Sequence, residues 1–213
     1  MSVPVIVIGA GGHGRVVADA LRAAGCEVLG FTDPAEALHG ALIDGLAVLG
    51  GDGILDRYRP RGLELANGIG SVGVPDQRRS VHEVLVGAGW HFATVVHPGA
   101  TVSPYARLER GAQVMAGAVV QSGAVVGEGS IVNTSAVVDH DCVIGSFCHV
   151  APGATLSGSV HLGAECHVGA GAVIIQGVQI GPRAIIGAGA VVVRNHPGSA
   201  TLLGVPARVM GAR

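Results

Sequence analysis

A six-residue period constrains this chain more than any other feature. Counting in sixes from Val96, the positions Val102, Leu108, Val114, Val120 and onward to Ile186 and Val192 are all Val, Ile or Leu, seventeen in register. With a third of residues aliphatic, a fixed register would achieve this by chance roughly once in 10^8. The fourth residue after each is small or compact, from Ala100 and Ala106 through Ser130, Ala136, Cys142, Cys148 and Cys166 to Ala190. One large and one small inward position per six specify a parallel β-helix of hexapeptide repeats. Each hexad then makes a short strand and a turn, and three hexads close a triangular coil. About five such coils stack at roughly the 4.8 Å spacing of neighbouring strands. The residue three after each aliphatic is Gly in nine of sixteen hexads, as a tight turn favours.

Other Gly-rich classes are excluded. Of 213 residues 36 are Gly, but no G-x-y period runs through them, and 49 % hydrophobic residues argue against disorder. A net charge of −2, with scattered Arg and no Lys, offers no footprint for nucleic acid. No apolar stretch approaches the roughly 20 residues of a spanning helix. The first residues run straight into a strand-like segment without a basic leader. Four Cys without framework spacing fit a reducing compartment, so a cytoplasmic location is expected. Cys142, Cys148 and Cys166 all occupy the small inward position and are read as packing rather than as nucleophiles or metal ligands.

The first 90 residues follow other rules. An apolar run, Val3 to Ile8, leads into Gly9-Ala10-Gly11-Gly12-His13-Gly14 and a helical pattern from Arg15 to Ala24. A second strand, Glu27 to Phe31, ends at Asp33. This matches the G-x-G-x-x-G fingerprint with an acid about twenty residues on. A helical stretch near Asp52 to Tyr58, a strand from Leu63 to Ile69 and a helix from Ser80 to Gly87 complete only one mononucleotide-binding half. The expectation is an α/β, Rossmann-like half-domain whose Gly-rich turn and helix N-terminus hold a phosphate. Asn67-Gly68-Ile69-Gly70 ends the third strand on the same carboxyl edge, where ligands of open α/β sheets bind. Arg78 and Arg79 read equally well as phosphate contacts or as a solvated helix end.

Three consecutive hexads depart together from the turn glycine. Ser135, Asp141 and Phe147 replace it around Asn133-Thr134-Ser135-Ala136-Val137-Val138-Asp139-His140-Asp141-Cys142. Polar side chains at turn positions of an otherwise regular repeat point to function. His140 beside Asp141 is the pattern of a general base held by a carboxylate, or else of two ordinary surface residues. His149 and His167 lie one coil apart on one face, and His161 holds the same position on the next. A carbonic anhydrase class that uses this fold with three His is expected to show a His pair five residues apart, and this sequence has none, so no metal is expected.

A short Rossmann-like domain with G-A-G-G-H-G, a hexapeptide helix with N-T-S-A-V-V-D-H-D-C and a closing G-V-P-A-R together resemble one family. It is the bacterial nucleotide-sugar N-acetyltransferases of 4-amino-4,6-dideoxy sugars, whose near relatives are the sialic acid O-acetyltransferases. The resemblance covers essentially the whole chain. It implies a nucleotide-sugar domain over 1–90, a left-handed β-helix acyltransferase domain over 91–194 and a tail over 195–213 near the coenzyme. It also implies His140 as the base and Asp141, where many members carry Glu, as the acid that polarises it. Gly158 would be the oxyanion donor, and His149, Ala170, Ala188 and Arg208 would be acetyl-CoA contacts. Gly11, Gly12, His13, Asp33, Gly70 and Asn133 would be nucleotide-sugar contacts. Members are homotrimers that use acetyl-CoA and no metal. Open alternatives are an O-acetyltransferase, a non-catalytic nucleotide-sugar scaffold and an NAD-dependent oxidoreductase. GDP-perosamine and a UDP-linked 4-amino sugar are both open as substrates.

Overall fold

The computed structural model describes residues 3–211, which divide into two compact units. The first takes in the chain up to Gly70 together with Gln77–Pro98, and the second holds Ser71–Asp76 and the residues from Gly99 onward. The segment 71–76 therefore leaves the first unit and belongs to the second, an excursion that the 90/91 boundary did not anticipate.

The first unit is an open sheet with strands β1 (Val5–Ile8), β2 (Val28–Thr32), β3 (Leu42–Ile43), β4 (Leu46–Gly50) and β5 (Glu64–Asn67) in the order β3-β4-β2-β1-β5. β1 pairs in parallel with β2 and β5, and β2 with β4, as a Rossmann-like half requires. β1 is fully buried, because both faces of a parallel sheet are covered. Helix α1 (Gly12–Ala23) begins on the glycine loop, three residues before the sequence pattern placed it. Helix α2 (Asp76–Gly87) likewise starts earlier, and a 3-10 segment spans Asp52–Arg61. The β3–β4 hairpin was missed. Leu42 faces Ala47 and Ile43 faces Leu46, so the loop is the two residues Asp44-Gly45, with φ of 49° and 79°. An Asp-Gly pair between aliphatic residues is the sequence signal for that turn.

The second unit realises the hexad arithmetic. Among the described residues, sixteen two-residue strands run from Thr101–Val102 to Val191–Val192. The strands up to Val173–Ile174 each pair in parallel with the strand eighteen residues on, as in Val119↔Val137↔Thr155↔Val173↔Val191. Three sheets form the faces of a left-handed coil. From Val114 to Val192 the aliphatic positions are buried, whereas Val102 and Leu108 in the opening coil are half-buried. Thr201–Leu203 extends one face in parallel, and Arg208–Val209 folds back on it antiparallel. No helix among the described residues is long and apolar enough to cross a membrane.

The turns explain how side chains other than glycine were accommodated. All fourteen third-position residues from Gly111 to Gly189 are left-handed, with φ between 54° and 73°, and six of them are not Gly. A left-handed L-residue costs about 1–2 kcal/mol, so these six need compensation. At Ser135, Asp141 and Phe147 the space comes from the preceding coil. A Cβ on Gly123 would lie 2.4 Å from Asp141 Oδ1, and one on Gly129 would lie 2.5 Å from the Phe147 ring. The glycines of one coil admit the side chains of the next.

Candidate functional site

His140 sits on one edge of the coil, where residues 140, 158 and 176 stack. Asp141 N–H donates to the carbonyl of Ser122, Ser159 N–H to that of His140, and Gly177 N–H to that of Gly158. This ladder fixes the backbone beneath each turn. His140 Nδ1 donates to Asp141 Oδ2 at 2.9 Å, and His140 N–H is capped by Asp139 Oδ1 at 2.8 Å. A carboxylate only accepts, so Nδ1 carries the proton and Nε2 presents its lone pair. The hydrogen bond to Asp141 and then the field of Asp139 raise the His140 pKa above its ordinary value. Both His140 and Asp141 are exposed.

Gly158 lies directly under the imidazole. A Cβ added there would stand 2.5 Å from His140 Nε2 and 2.6 Å from Cε1. Gly158 is buried, and its N–H meets no acceptor among the described residues. Asp139, His140, Ser157, Gly158, Ser159 and Gln176 line an open cavity of about 520 Å³. Asp139, Ser157 and Gln176 were not singled out from sequence. Their signal was available in the period, since Asp139 precedes His140 in its turn, Ser157 follows Asp139 by eighteen residues and Gln176 follows His140 by thirty-six.

In the α/β unit a cavity of about 610 Å³ opens at the carboxyl edge of β1, β2 and β5. Gly11, Gly12, His13, Asp33 and Gly70 all line it, joined by Asp52 and Gln77. The glycines of the loop divide their work. A Cβ on Gly14 would fall 2.0 Å from the Gly9 carbonyl oxygen, so Gly14 lets helix meet strand, whereas nothing lies within 4 Å at Gly11 or Gly12. The open pair is where a phosphate can approach backbone N–H groups at the helix start. Asp33 Oδ2 accepts the Ala10 N–H and Oδ1 the Ala35 N–H, both at 2.9 Å. Its carboxylate thereby fixes the loop that frames the cavity.

Arg78 fits neither sequence reading. It is 1 % exposed, donates from NH1 to the carbonyls of Asn67 and Ile69, and receives the Asn67 amide on its own carbonyl. Burial pushes its pKa down to about 9. It braces the loop after β5. Arg79 pairs with Glu83 along α2.

The remaining site residues belong to the helical unit. His149 is 8 % exposed. Its Nδ1 donates to the Ser71 carbonyl at 2.8 Å, and its Nε2 accepts from Asn133 Nδ2 at 3.0 Å. Asn133 Oδ1 accepts the Thr134 N–H, which fixes the amide orientation. The residue before each inward aliphatic points out of the coil, so His149, before Val150, starts from an outward position. The chain at Ser71 covers it, leaving only a ring edge for any ligand. Asp76 closes the same segment onto Arg183, which also pairs with Glu165. Ala170 and Ala188 are exposed and stack on a different edge from His140, that of Thr134 and Pro152. Arg208 is exposed on the returning tail strand, its guanidinium on the Ala207 carbonyl.

The inward thiols are packing groups. Cys142, Cys148 and Cys166 are buried, and each Sγ–H donates to a carbonyl fifteen residues on, at Ser157, Gly163 and Gly181. Ser130 makes the same contact with Gly145. Burial pushes the Cys142 and Cys148 thiols up, away from thiolate chemistry. Among the described residues no group of three metal-binding side chains comes together.

Comparison with known proteins covers both units. The family described as PglD N-terminal domain matches residues 4–91, and that described as bacterial transferase hexapeptide (six repeats) matches residues 159–194. Among solved structures, a histidine-to-asparagine variant of perosamine N-acetyltransferase from Caulobacter crescentus, in complex with CoA and GDP-perosamine, is 38 % identical. The match has a TM-score of 0.91 and covers 98 % of this chain and 97 % of that one. The acetyltransferase domain of PglB from Neisseria gonorrhoeae FA1090 is 39 % identical at a TM-score of 0.90, over 98 % of this chain and all of that one. WeeI from Acinetobacter baumannii AYE is 26 % identical at 0.84, over 98 % and 100 %. No curated protein matches the chain.

Proposed function

The chain belongs to the hexapeptide-repeat nucleotide-sugar N-acetyltransferases, and on that premise we propose that it transfers the acetyl group of acetyl-CoA to the 4-amino group of a nucleotide-linked 4-amino-4,6-dideoxy sugar. The observation that carries this reading is His140, with Nδ1 tied to Asp141 and Nε2 open above Gly158. A thioester is already activated. The protein therefore has to hold the amine within attack distance, take one proton and stabilise one oxyanion.

In the proposed step the amine nitrogen attacks the thioester carbonyl carbon and His140 Nε2 accepts the N–H proton. The unpaired Gly158 N–H donates to the oxyanion. Collapse breaks the C–S bond, and His140 returns its proton to the coenzyme A sulfur. Asp141 keeps the imidazole in the right tautomer and stabilises the imidazolium, which accords with the raised His140 pKa. No covalent enzyme intermediate is needed, in keeping with thiols that serve as core donors. The cavity bearing Gly11, Gly12, His13, Asp33 and Gly70 would take the nucleotide diphosphate and sugar. Asn133 and His149, already bonded to each other, would present only their remaining edges to ligands.

A homotrimer is part of the proposal. Ala170 and Ala188 stand on one edge of the prism and His140 on another, so a coenzyme touching all three is most simply held between edges of neighbouring copies. Arg208 on the tail would then close over it. The reaction suits a cytoplasmic enzyme, where acetyl-CoA and free thiols coexist.

The test is free-thiol release from acetyl-CoA with GDP-, UDP- and dTDP-linked 4-amino sugars and their 4-hydroxy counterparts. Release that depends on one amino sugar is the expected result and names base and sugar together. Release with hydroxy sugars alone would replace this reading by O-acetylation, and silence throughout would replace it by a binding scaffold.

A further inference from the structure

His140 is flanked by two carboxylates, and only one is occupied by its ring. Asp141 Oδ2 takes the Nδ1 proton. Asp139 is half-buried, lines the cavity and spends Oδ1 on the His140 backbone N–H. Its second oxygen makes no hydrogen bond, and among the described residues no cationic side chain pairs with it. The other groups around this space are the neutral side chains of Ser157, Ser159 and Gln176 and the backbone of Gly158. With His140 in the neutral form that a base requires, Asp139 is the unpaired charge of the acceptor side. The open cavity it lines gives a cationic group of a substrate access to that oxygen.

The fold accounts for this placement. Asp139 follows the aliphatic Val138, and the matching position one coil on is Ser157, whose carbonyl is occupied by the Cys142 thiol. The Asp139 backbone is held by the Leu156 carbonyl at 3.0 Å, so its side chain starts from a fixed ladder rung. On the neighbouring face the same position of the repeat is glycine in four successive coils, Gly127, Gly145, Gly163 and Gly181. A Cβ at each of those would strike the next coil at 2.6 Å or closer. On the face leading into the His140 turn the same position carries side chains throughout, at Gln121, Asp139, Ser157 and Ile175.

We infer that Asp139 is the acceptor-selecting residue, whose free carboxylate oxygen pairs with the ammonium group of the incoming amino sugar and makes the site prefer an amine to a hydroxyl. The inference rests on the N-acetyltransferase reading and sharpens it. An amine on a sugar arrives mostly as –NH3+, and an unpaired carboxylate in a partly desolvated cleft favours that charge, while it offers a hydroxyl no more than a neutral hydrogen bond. Before attack the ammonium loses one proton to solvent. The second N–H proton passes to His140 Nε2 and on to the thiolate. The sum is R–NH3+ plus acetyl-CoA giving R–NH–acetyl, coenzyme A thiol and one released proton. Asp139 neither takes nor gives a proton in this scheme and acts by charge alone.

Dissociation constants for GDP-perosamine and for its 4-hydroxy counterpart, measured by calorimetry on the full chain, test this directly. The native protein should prefer the amino sugar by about tenfold, the effect of one charge pair in a partly desolvated site. Asp139→Asn should remove that preference while moving the 4-hydroxy affinity by less than about twofold, and Asp139→Glu should retain most of it. Equal weakening of both ligands in Asp139→Asn, a preference that survives that change, or no amine preference in the native protein would each overturn the assignment. The glutamate variant guards against mistaking a local folding defect for lost recognition. The function reading fails separately, through absent thiol release by the native protein. A native enzyme that acetylates the amine while Asp139→Asn keeps its selectivity would sink the Asp139 role alone.

Discussion

The two units use glycine for opposite ends. In the coil, Gly158 is a floor on which the His140 ring rests, and a single methyl there would collide with His140 Nε2. In the α/β unit, Gly11 and Gly12 border open space, and a methyl there meets nothing of the protein. The first position makes room for a side chain of the same molecule, and the second leaves space that the proposed function gives to a ligand. Position in a periodic ladder is set to a fraction of an ångström by every rung above and below. A loop at a sheet edge is set by a few contacts such as the Asp33 carboxylate on the Ala10 N–H. In the proposed mechanism the ladder therefore carries the chemistry and the selection of the amine, and the loop carries the recognition of the nucleotide.

The largest expected effect breaks the ladder at its reactive member. His140→Ala should lower kcat at least about 100-fold, the scale of a lost general base. The melting temperature and oligomeric state should barely change, because the side chain is exposed and its backbone bonds remain. Steady-state kinetics beside a thermal melt decide this, and a near-native kcat would remove His140 from the mechanism.

The matched pair Gly158→Ala and Gly12→Ala sharpens the contrast. Displacing a catalytic ring by about 1 Å can cost up to about 100-fold in rate. Gly158→Ala should thus depress kcat by tens-fold with the nucleotide-sugar KM nearly unchanged. Gly12→Ala should instead raise that KM several-fold and spare kcat, since a methyl in open space hinders only an approaching phosphate. If both variants lost kcat alike, the division of labour between the units would be wrong.

How much of this was legible depended on the period. Seventeen aliphatic positions fixed the coil, its pairing distance and the inward cysteines, because any slip would turn a side chain from core to solvent. The turn residues Ser135, Asp141 and Phe147 stood out for the same reason. Hidden from that logic was whatever touches the coil from afar in sequence. Ser71 covering His149, and Asp76 on Arg183, come from a segment with no period of its own. Arg78 was misjudged because a charged residue at a helix start is usually solvated, and only the fold supplies the Asn67 and Ile69 carbonyls that bury it. The β3–β4 hairpin had its Asp-Gly signal in plain view.

Asp141→Asn tests whether the ladder also tunes the proton affinity of its base. Losing a hydrogen bond between charged partners costs about 1.5 kcal/mol, or roughly tenfold in kcat. Its pH signature is directional. Asp141 raises the His140 pKa, and a general base works only when deprotonated, so the acid limb of kcat/KM lies above the ordinary histidine value. Removing the carboxylate should move that limb to lower pH. A limb that stayed in place, or moved up, would mean that His140 is not the titrating base.

The smallest effect probes the loop in the other unit. Asp33 holds the glycine turn through two backbone N–H groups, so Asp33→Asn keeps an acceptor for one of them and loses the charge assistance of both. A neutral hydrogen bond is worth about 1 kcal/mol net, and the expected result is a nucleotide-sugar KM raised about three- to fivefold with kcat and the acid limb untouched. Because Asp33 belongs to the unit that carries no proton chemistry in this scheme, any movement of the pH profile in this variant would show that the two units are coupled in the reaction. The contrast between a rung and a loop would then describe their construction without describing their roles.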